Sequence, residues 1–150
     1  MRSRTGTFFI CKVRYEKVTE DGFQKKVNEN YVVNAISFTE AEARITESMS
    51  EYISGEFTIE DIKKAPFKEI FFTDDNSSDK WYKAKLQFIT ISEKTDKEKR
   101  TSVNYLVQAD TLNHAVKNID SVMSDSQIDY VSCAVQETTI FDVFDYKYTE

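Results

Sequence analysis

The stretch KWYKAKLQF at residues 80–88 repeats, in pattern, the stretch TFFICKVRY at residues 7–15. In both stretches an aromatic pair opens a run in which apolar residues alternate with cationic or polar ones. Alternation with a period of two is typical of a strand that buries one face. The two stretches therefore predict two equivalent strands, and they raise the question of what the cationic side of each strand faces.

The repetition continues beyond these strands and predicts an internal duplication of a ββαβ unit. NYVVNA at residues 30–35 returns as NYLVQA at residues 104–109. We expect a first repeat at 7–72, a linker at 73–79 and a second repeat at 80–146. Because a unit of about 70 residues buries only a small core, we expect both repeats to pack into one compact, pseudo-twofold domain. The predicted fold class is α+β, with antiparallel sheets and two helices.

Turn and capping signals predict the bounds of the remaining elements. Asp21-Gly22 favours a tight hairpin in the first repeat, and a polar loop joins the strands of the second. Thr39, followed three residues later by Glu42, predicts a capping box at the start of the first helix, and Thr111 precedes the second helix. The predicted second strands are 26–35 and 101–109, and the predicted third strands are 57–64 and 130–137.

The composition limits the class of protein. The chain has 150 residues, 40% of them hydrophobic, and a formal charge of −6, which argues against a generally basic nucleic-acid binder. Cys11 and Cys133 both lie within apolar alternation, so we expect two buried free thiols in a reducing cytoplasm. The basic start MRSRTG is followed by no apolar run of signal-peptide length, and no segment approaches a membrane span of about 20 residues. We therefore expect a soluble cytoplasmic protein with no membrane partner.

Catalytic motifs are missing from the sequence. His114 is the single histidine, and its position in the second helix favours a surface residue over a general base. The chain contains three glycines and no CxxC, HExxH, GxSxG or glycine-rich phosphate-binding motif. These observations favour a nonenzymatic protein without a metal site or a cofactor.

The outward face of the two opening strands is the candidate binding surface. If Phe9, Cys11 and Val13 point inward, their neighbours point outward, and the same holds in the second repeat. The outward residues assigned to nucleic acid are Phe8, Lys12, Arg14, Trp81, Lys83 and Lys85. An exposed ring followed by cations suits single-stranded nucleic acid, because bases stack on the ring while the cations contact phosphates. Alternatively, the cations keep the strand soluble and the rings are covered, or the surface binds a protein.

Several stretches resemble an uncharacterised family found in Bacteroidetes and in the crAss-like phages that infect them. These stretches are CKVRYEK at 11–17, ISFTEAEARI at 36–45, YISGEF at 52–57, DKWYKAKLQFIT at 79–90 and NYLVQA at 104–109. The resemblance covers nearly the whole chain and implies no catalytic residues. It does imply an intracellular bacterial or phage protein, in a setting where replication accessories and host-directed binders are common.

The sequence thus favours a nonenzymatic protein that binds single-stranded DNA in bacterial or phage replication. The alternative is a protein-binding module, such as a phage-encoded modulator of a host protein. The acidic aromatic ending FDVFDYKYTE offers a tail that recruits replication partners, although IFDVF within it is better explained as a strand. Exposed strand edges also make a homodimer reasonable.

Overall fold

The computed structural model describes residues 1–146, so the last four residues of the acidic ending lie outside the described part. The fold class is α+β, as the sequence predicts. The strands are β1 (Arg2–Thr5), β2 (Phe8–Val18), β3 (Gln24–Asn34), β4 (Phe57–Lys64), β5 (Glu69–Phe72), β6 (Lys80–Ile91), β7 (Glu98–Ala109), β8 (Asp129–Glu137) and β9 (Ile140–Phe144), and the helices are α1 (Phe38–Tyr52) and α2 (Leu112–Met123). All three strands predicted for each repeat are present.

The chain forms two compact units. The first unit contains Thr7–Pro66 and the described residues from Thr139 onward, and the second unit contains Phe67–Thr138 and Met1–Gly6. Each unit has an antiparallel hairpin, a helix and a third strand in the predicted order. The internal duplication, its 7–72 and 80–146 repeats and their arrangement in one domain stay predictions.

The first unit contains a four-stranded sheet in the order β4-β2-β3-β9, with α1 packed on one face. Alternate residues of β2 and β3 meet buried residues of α1 there, because one side of each strand and one stripe of the helix are apolar. The tight hairpin between β2 and β3 is confirmed, since Gly22 has φ +82° and its N–H donates to the carbonyl of Thr19 at 2.9 Å. Glycine adopts this positive φ without steric cost.

The second unit contains a five-stranded sheet in the order β1-β5-β7-β6-β8, and α2 covers one face. Ala115, Ile119 and Met123 of α2 pack on Ala84, Leu86 and other residues of the same sheet face. Thr111 caps α2 as predicted, because its hydroxyl accepts a hydrogen bond from the N–H of His114 at 3.2 Å.

The first helix begins two residues earlier than the sequence predicts. Ser37 is the N-cap residue, and its hydroxyl accepts from the N–H of Glu40 at 3.1 Å. The carboxylate of Glu40 in turn accepts from the N–H of Ile36. Thr39 and Glu42 therefore lie inside α1, and the capping box predicted for them is wrong.

Two short strands add parallel pairs that the alternation does not predict. β5 pairs in parallel with β7, and β9 pairs in parallel with β3. Ile70, Phe71 and Phe72 of β5 are all buried, so this strand has no polar face to reveal its register. Each strand follows a third strand in the chain yet belongs to the sheet of the other unit.

Candidate functional site

The opening strands of the two hairpins bury the face that the sequence predicts. Phe9, Cys11 and Val13 of β2 are buried against α1, and Tyr82, Ala84 and Leu86 of β6 are buried against α2. The residues of opposite parity, which include the six candidate binding residues, point to the other face of each sheet. The structure therefore tests directly which of them are accessible.

The two candidate aromatic rings are not accessible. Phe8 is 2% exposed and Trp81 is 3% exposed, so the expectation that both present a ring to solvent is wrong. The indole of Trp81 lies edge to face against the ring of Phe72, with 5.5 Å between centroids. Alternation along a strand determines which face of the sheet a side chain points to, but not whether that face is exposed. Here the face opposite the helix is also buried near these two rings.

The candidate cations lie farther along the same strands. Lys12 and Arg14 are exposed on β2, Lys85 is exposed on β6, and Lys83 is partly buried. In the cross-strand register Lys12 lies between Asn30 and Asp61, whereas Lys85 lies between Asn104 and Ala134. The assignment of these four cations to nucleic acid stays a prediction.

Arg14 is the candidate residue that lines a cleft in the first unit. β4 begins opposite Tyr15, so the last three residues of β2 have a strand partner on the β3 side only. The segment after α1 passes beside this overhang and leaves a cavity of about 750 Å³. The hairpin cleft, as we call it, is lined by Arg14, Tyr15, Glu16, Lys17, Val18, Gln24, Lys26, Tyr52, Ile53, Ser54, Gly55, Glu56, Phe57 and Thr58.

The lining of the hairpin cleft combines cations with aromatic rings. Its charged residues are three cations and two carboxylates, in a chain whose formal charge is −6. Tyr52, at the end of α1, is 65% exposed. Arg14 and Lys26 are exposed and form no ion pair with residues 1–146, so both charges are available to a ligand.

Comparison with known proteins identifies the family of this chain. A family model described as a domain of unknown function, DUF4494, matches residues 7–146. The chain belongs to the DUF4494 family. Neither the comparison with curated proteins nor the comparison with solved structures returned a match.

In this DUF4494 member, a partly buried carboxylate organises the inner wall of the hairpin cleft. Glu29 of β3 accepts hydrogen bonds from the hydroxyls of Tyr15 at 3.0 Å and Tyr31 at 2.5 Å. The ammonium group of Lys17 lies 3.6 Å from the same carboxylate and 5.6 Å from the ring centroid of Phe141. These contacts fix the ring of Tyr15, which is part of the cleft lining.

Burial raises the pKa of Tyr15 to about 12, and the hydrogen bond to Glu29 acts in the same direction. The pKa of Tyr31 is also raised, first by burial and then by Glu29. An anionic phenolate beside the Glu29 carboxylate is unfavourable, so both hydroxyls remain donors at neutral pH.

The sequence analysis missed most residues of the hairpin cleft. The cluster of Lys17, Lys25 and Lys26 around the Asp21-Gly22 turn was a signal for local positive charge. Tyr52 continues the apolar face of α1, whose residues Ala41, Ile45 and Met49 are buried, so the sequence pattern gives no sign that its ring is exposed. In the structure Tyr52, the last residue of α1, lines the cleft and is solvent-exposed.

The cysteines and the histidine occupy different environments. Cys11 is buried and free, but Cys133 is exposed at a bulge in β8, so the prediction that both are buried is wrong for Cys133. Burial and the Asp61 carboxylate raise the pKa of Cys11 to about 12. His114 is exposed and contacts the Asp110 carboxylate, and this contact lowers the pKa of Asp110.

Residues 1–146 contain neither a metal-binding cluster nor a helix that could span a membrane. Within this range no group of three or more His, Cys, Asp and Glu side chains is arranged to hold a metal ion. No helix of the same residues is long and apolar enough to cross a bilayer.

Proposed function

We propose that this protein binds single-stranded nucleic acid, with the hairpin cleft of the first unit holding one segment of the strand. The observation that carries this proposal is the presence of an exposed aromatic ring, Tyr52, in the same cleft as the exposed cations Arg14 and Lys26. This combination is the one predicted for the two strand faces, but it lies at the end of the first hairpin.

The ring supplies the sequence-independent part of binding. A base stacked on an exposed aromatic side chain contributes about 1–3 kcal/mol, whichever base it is. Tyr52 presents most of its ring to solvent at the mouth of the cleft, and Tyr15 and Phe57 line it as partly buried rings. A cavity of about 750 Å³ is within the usual range for a small ligand site and accommodates roughly one or two nucleotides.

The cations supply the attraction to phosphates. Arg14 can donate two parallel hydrogen bonds to one phosphate, and Lys26 acts as a point charge. The carboxylates of Glu16 and Glu56 border the same cleft, and Glu16 lies opposite Lys26 in the β2–β3 register, so they lower the net positive charge that a strand meets there. Stacking on Tyr52 requires bases that are not paired, and we therefore expect a preference for single strands over a duplex.

The family resemblance suggests the setting for such binding. A cytoplasmic protein of Bacteroidetes or of their phages has access to single strands during replication. The role we propose is nonenzymatic, and it requires neither a cofactor nor a metal ion.

Fluorescence anisotropy of a labelled poly-dT oligonucleotide tests the proposal. We expect binding that weakens with added salt and that exceeds binding to a duplex of equal length. The double variant Arg14→Ala, Lys26→Ala should lower the affinity by roughly tenfold or more, and it should also reduce the slope of log K against log salt by about 1.4. Absence of salt-dependent binding at low salt would overturn the proposal.

Two controls separate the cleft from general charge. Arg100 of β7 occupies the hairpin position that corresponds to Lys26, but it lies 3.6 Å from Glu98, and Arg100→Ala should leave binding within about twofold. Tyr52→Ala should weaken binding roughly tenfold, whereas Tyr52→Phe, which keeps the ring, should not. Equal effects of both Tyr52 variants would contradict stacking.

A further inference from the structure

The outer edge of β8 in the second unit is the second candidate surface. β8 pairs with β6 on one side, and none of residues 1–146 pairs with its other side. It is nine residues long, and no charged residue lies between its first residue, Asp129, and its last residue, Glu137. A long edge strand with an uncharged centre is a template for pairing with another strand.

The corresponding edge of the first unit is protected in the way edge strands usually are. β4 is also an edge strand, and four of its eight residues are charged. Both strands contain a register shift at the same point of the hairpin, beside Lys12 in one and Lys85 in the other. The bulge is therefore common to both edges, and the charges distinguish them.

Side chains next to the β8 edge are also less polar than those at the corresponding place in the first unit. Tyr130 of β8 donates a hydrogen bond to Asp120 of α2 at 3.3 Å, so this flank of α2 lies beside β8. Val116 lies one turn before Asp120 on the same flank and is 36% exposed. In α1 the matching position is Glu42. With Val131, which is 39% exposed, Val116 leaves apolar surface uncovered near the edge of β8.

We infer that the free edge of β8 binds an extended segment of a partner protein as an added strand, one with an apolar centre and cationic ends. Backbone hydrogen bonds would supply affinity, and alternate side chains of the segment would contact Val116 or Val131. The acidic residues Asp129 and Glu137 at the two ends of β8, with Asp120 on the flank, select the cationic ends.

A second copy of this chain fits the edge less well. The formal charge of −6 opposes self-association. An antiparallel pair of β8 strands centred on Cys133 would also place Asp129 opposite Glu137, and like charges directly opposite are destabilising. Lys83 and Lys85 lie on β6, about 10 Å from an added strand, which is near the screening length in physiological salt.

The rate at which Cys133 is alkylated can report whether a segment occupies this edge. It is exposed beside the bulge, whereas Cys11 is fully buried and burial raises the pKa of Cys11 to about 12. Neutral iodoacetamide should therefore alkylate Cys133 and leave Cys11 unmodified in the folded protein. Peptide mass mapping identifies which cysteine is alkylated, and the Cys133→Ser variant serves as the control that lacks the reactive thiol.

The experiment uses two capped peptides, KVTVSVTVK and its charge-reversed partner EVTVSVTVE, each titrated against the full chain by fluorescence anisotropy. We expect the cationic peptide to bind more tightly, and at ten times its dissociation constant to slow alkylation of Cys133 by about tenfold. Ala134→Lys, at an exposed edge position, should weaken this binding roughly tenfold. Thr58→Lys, at an exposed position of β4, adds the same charge and should not.

Three outcomes would overturn the inference. No binding of the cationic peptide, or binding without protection of Cys133, removes the edge as its site. Equal binding of both peptides removes the electrostatic selection. A dimer in sedimentation that protects Cys133 and is dissociated by Ala134→Lys assigns the edge to a second copy of the chain. None of these results depends on whether the protein binds poly-dT, so the β8 edge and the hairpin cleft are tested separately.

Discussion

The two units have the same order of hairpin, helix and third strand, but they differ near the middle of the hairpin. In the first unit Val13 of β2 lies opposite Glu29, and in the second unit Leu86 of β6 lies opposite Val103. The carboxylate of Glu29 accepts hydrogen bonds from two tyrosine hydroxyls and forms an ion pair with a lysine, whereas Val103 packs against an apolar core. At this helix-facing position, valine in the second unit is part of an apolar core, and glutamate in the first unit is part of a polar cleft wall.

The edge strands of the two sheets also differ in their charged residues. The first unit has a polar cleft wall and a charged edge strand, β4, while the second has Val103 at the position of Glu29 and an edge strand, β8, whose centre is uncharged. In both units the central strands and the helix are held by similar cores, whereas the surfaces at their margins differ. We expect substitutions in the cores to act alike in both units and substitutions at the margins to act in one unit only.

The largest effect should come from the two cores. Ile45 of α1 and Ile119 of α2 occupy matching positions, and both are buried. Ile45→Ala and Ile119→Ala should each lower the free energy of unfolding by about 2–5 kcal/mol, because each removes apolar contacts and leaves a cavity. Urea denaturation measures the loss. Glu42→Ala, on the exposed side of α1, should change stability by less than about 0.5 kcal/mol.

A smaller effect should distinguish the polar wall of the first unit. Glu29→Gln removes the charge that accepts from Tyr15 and Tyr31, and we expect a loss of about 1–3 kcal/mol in urea denaturation. The exposed Glu56 of the same cleft is the matched site, and Glu56→Gln should be nearly neutral. A neutral Glu29→Gln would contradict a structural role for the carboxylate.

The same carboxylate should appear in the alkaline stability of the protein. The pKa of Tyr15 is about 12 in the folded state against 10.0 in the unfolded state, so the folded protein holds this proton more tightly. Its contribution to stability is present below about pH 10 and decreases as pH rises toward 12. Urea midpoints measured across this window should fall.

The Glu29→Gln variant isolates the tyrosines in that experiment. Cys11 also has a raised pKa, so it contributes a loss in the same direction, but this loss does not depend on Glu29. We expect the variant to lose stability less steeply with pH, since removal of the charge brings the pKa of Tyr15 nearer its ordinary value. Parallel pH profiles of the two proteins would contradict the assignment.

The smallest effect should come from exchanging one margin residue. Gln87 of β6 corresponds to Arg14 of β2, so Arg14→Gln makes the first hairpin resemble the second. We expect it to weaken poly-dT binding roughly threefold to tenfold without a change in the urea midpoint. Gln87→Arg should add little affinity, because the second hairpin carries no exposed aromatic residue at the position of Tyr52. Equal and opposite effects would show that charge alone drives binding.

Much of the fold could be predicted because local chemistry determines it. The hairpin at Asp21-Gly22, the alternation of β2 and β6 and the apolar stripe of α2 all have signals within a few residues of each other. The positions of β5 and β9 could not be predicted in the same way. Their apolar runs are too short to reveal which sheet they join, and that choice depends on contacts far apart in sequence.

The candidate site was harder to predict than the fold. Alternation predicts Arg14 as a cation on an outward strand position. It does not predict that Phe8 and Trp81 are buried, because it carries no information about what covers a face. Tyr52 and Lys26 are 26 residues apart in sequence, and they line the same cleft because β4 starts opposite Tyr15 and leaves the last three residues of β2 without a partner on that side. That relation is a property of strand register, which the sequence pattern does not contain.

Photo-crosslinking tests the central claim most directly, since it reports which residues touch the bound strand. An oligo-dT that contains 5-iododeoxyuridine would be irradiated with the full chain, and the crosslinked peptides would be mapped by mass spectrometry. We predict crosslinks to Tyr52, with Tyr15 or Phe57 beside it, and their loss in the Tyr52→Ala variant. Crosslinks confined to the β6 peptide that carries Lys83 and Lys85, or a pattern unchanged by Tyr52→Ala, would contradict the hairpin cleft as the binding site.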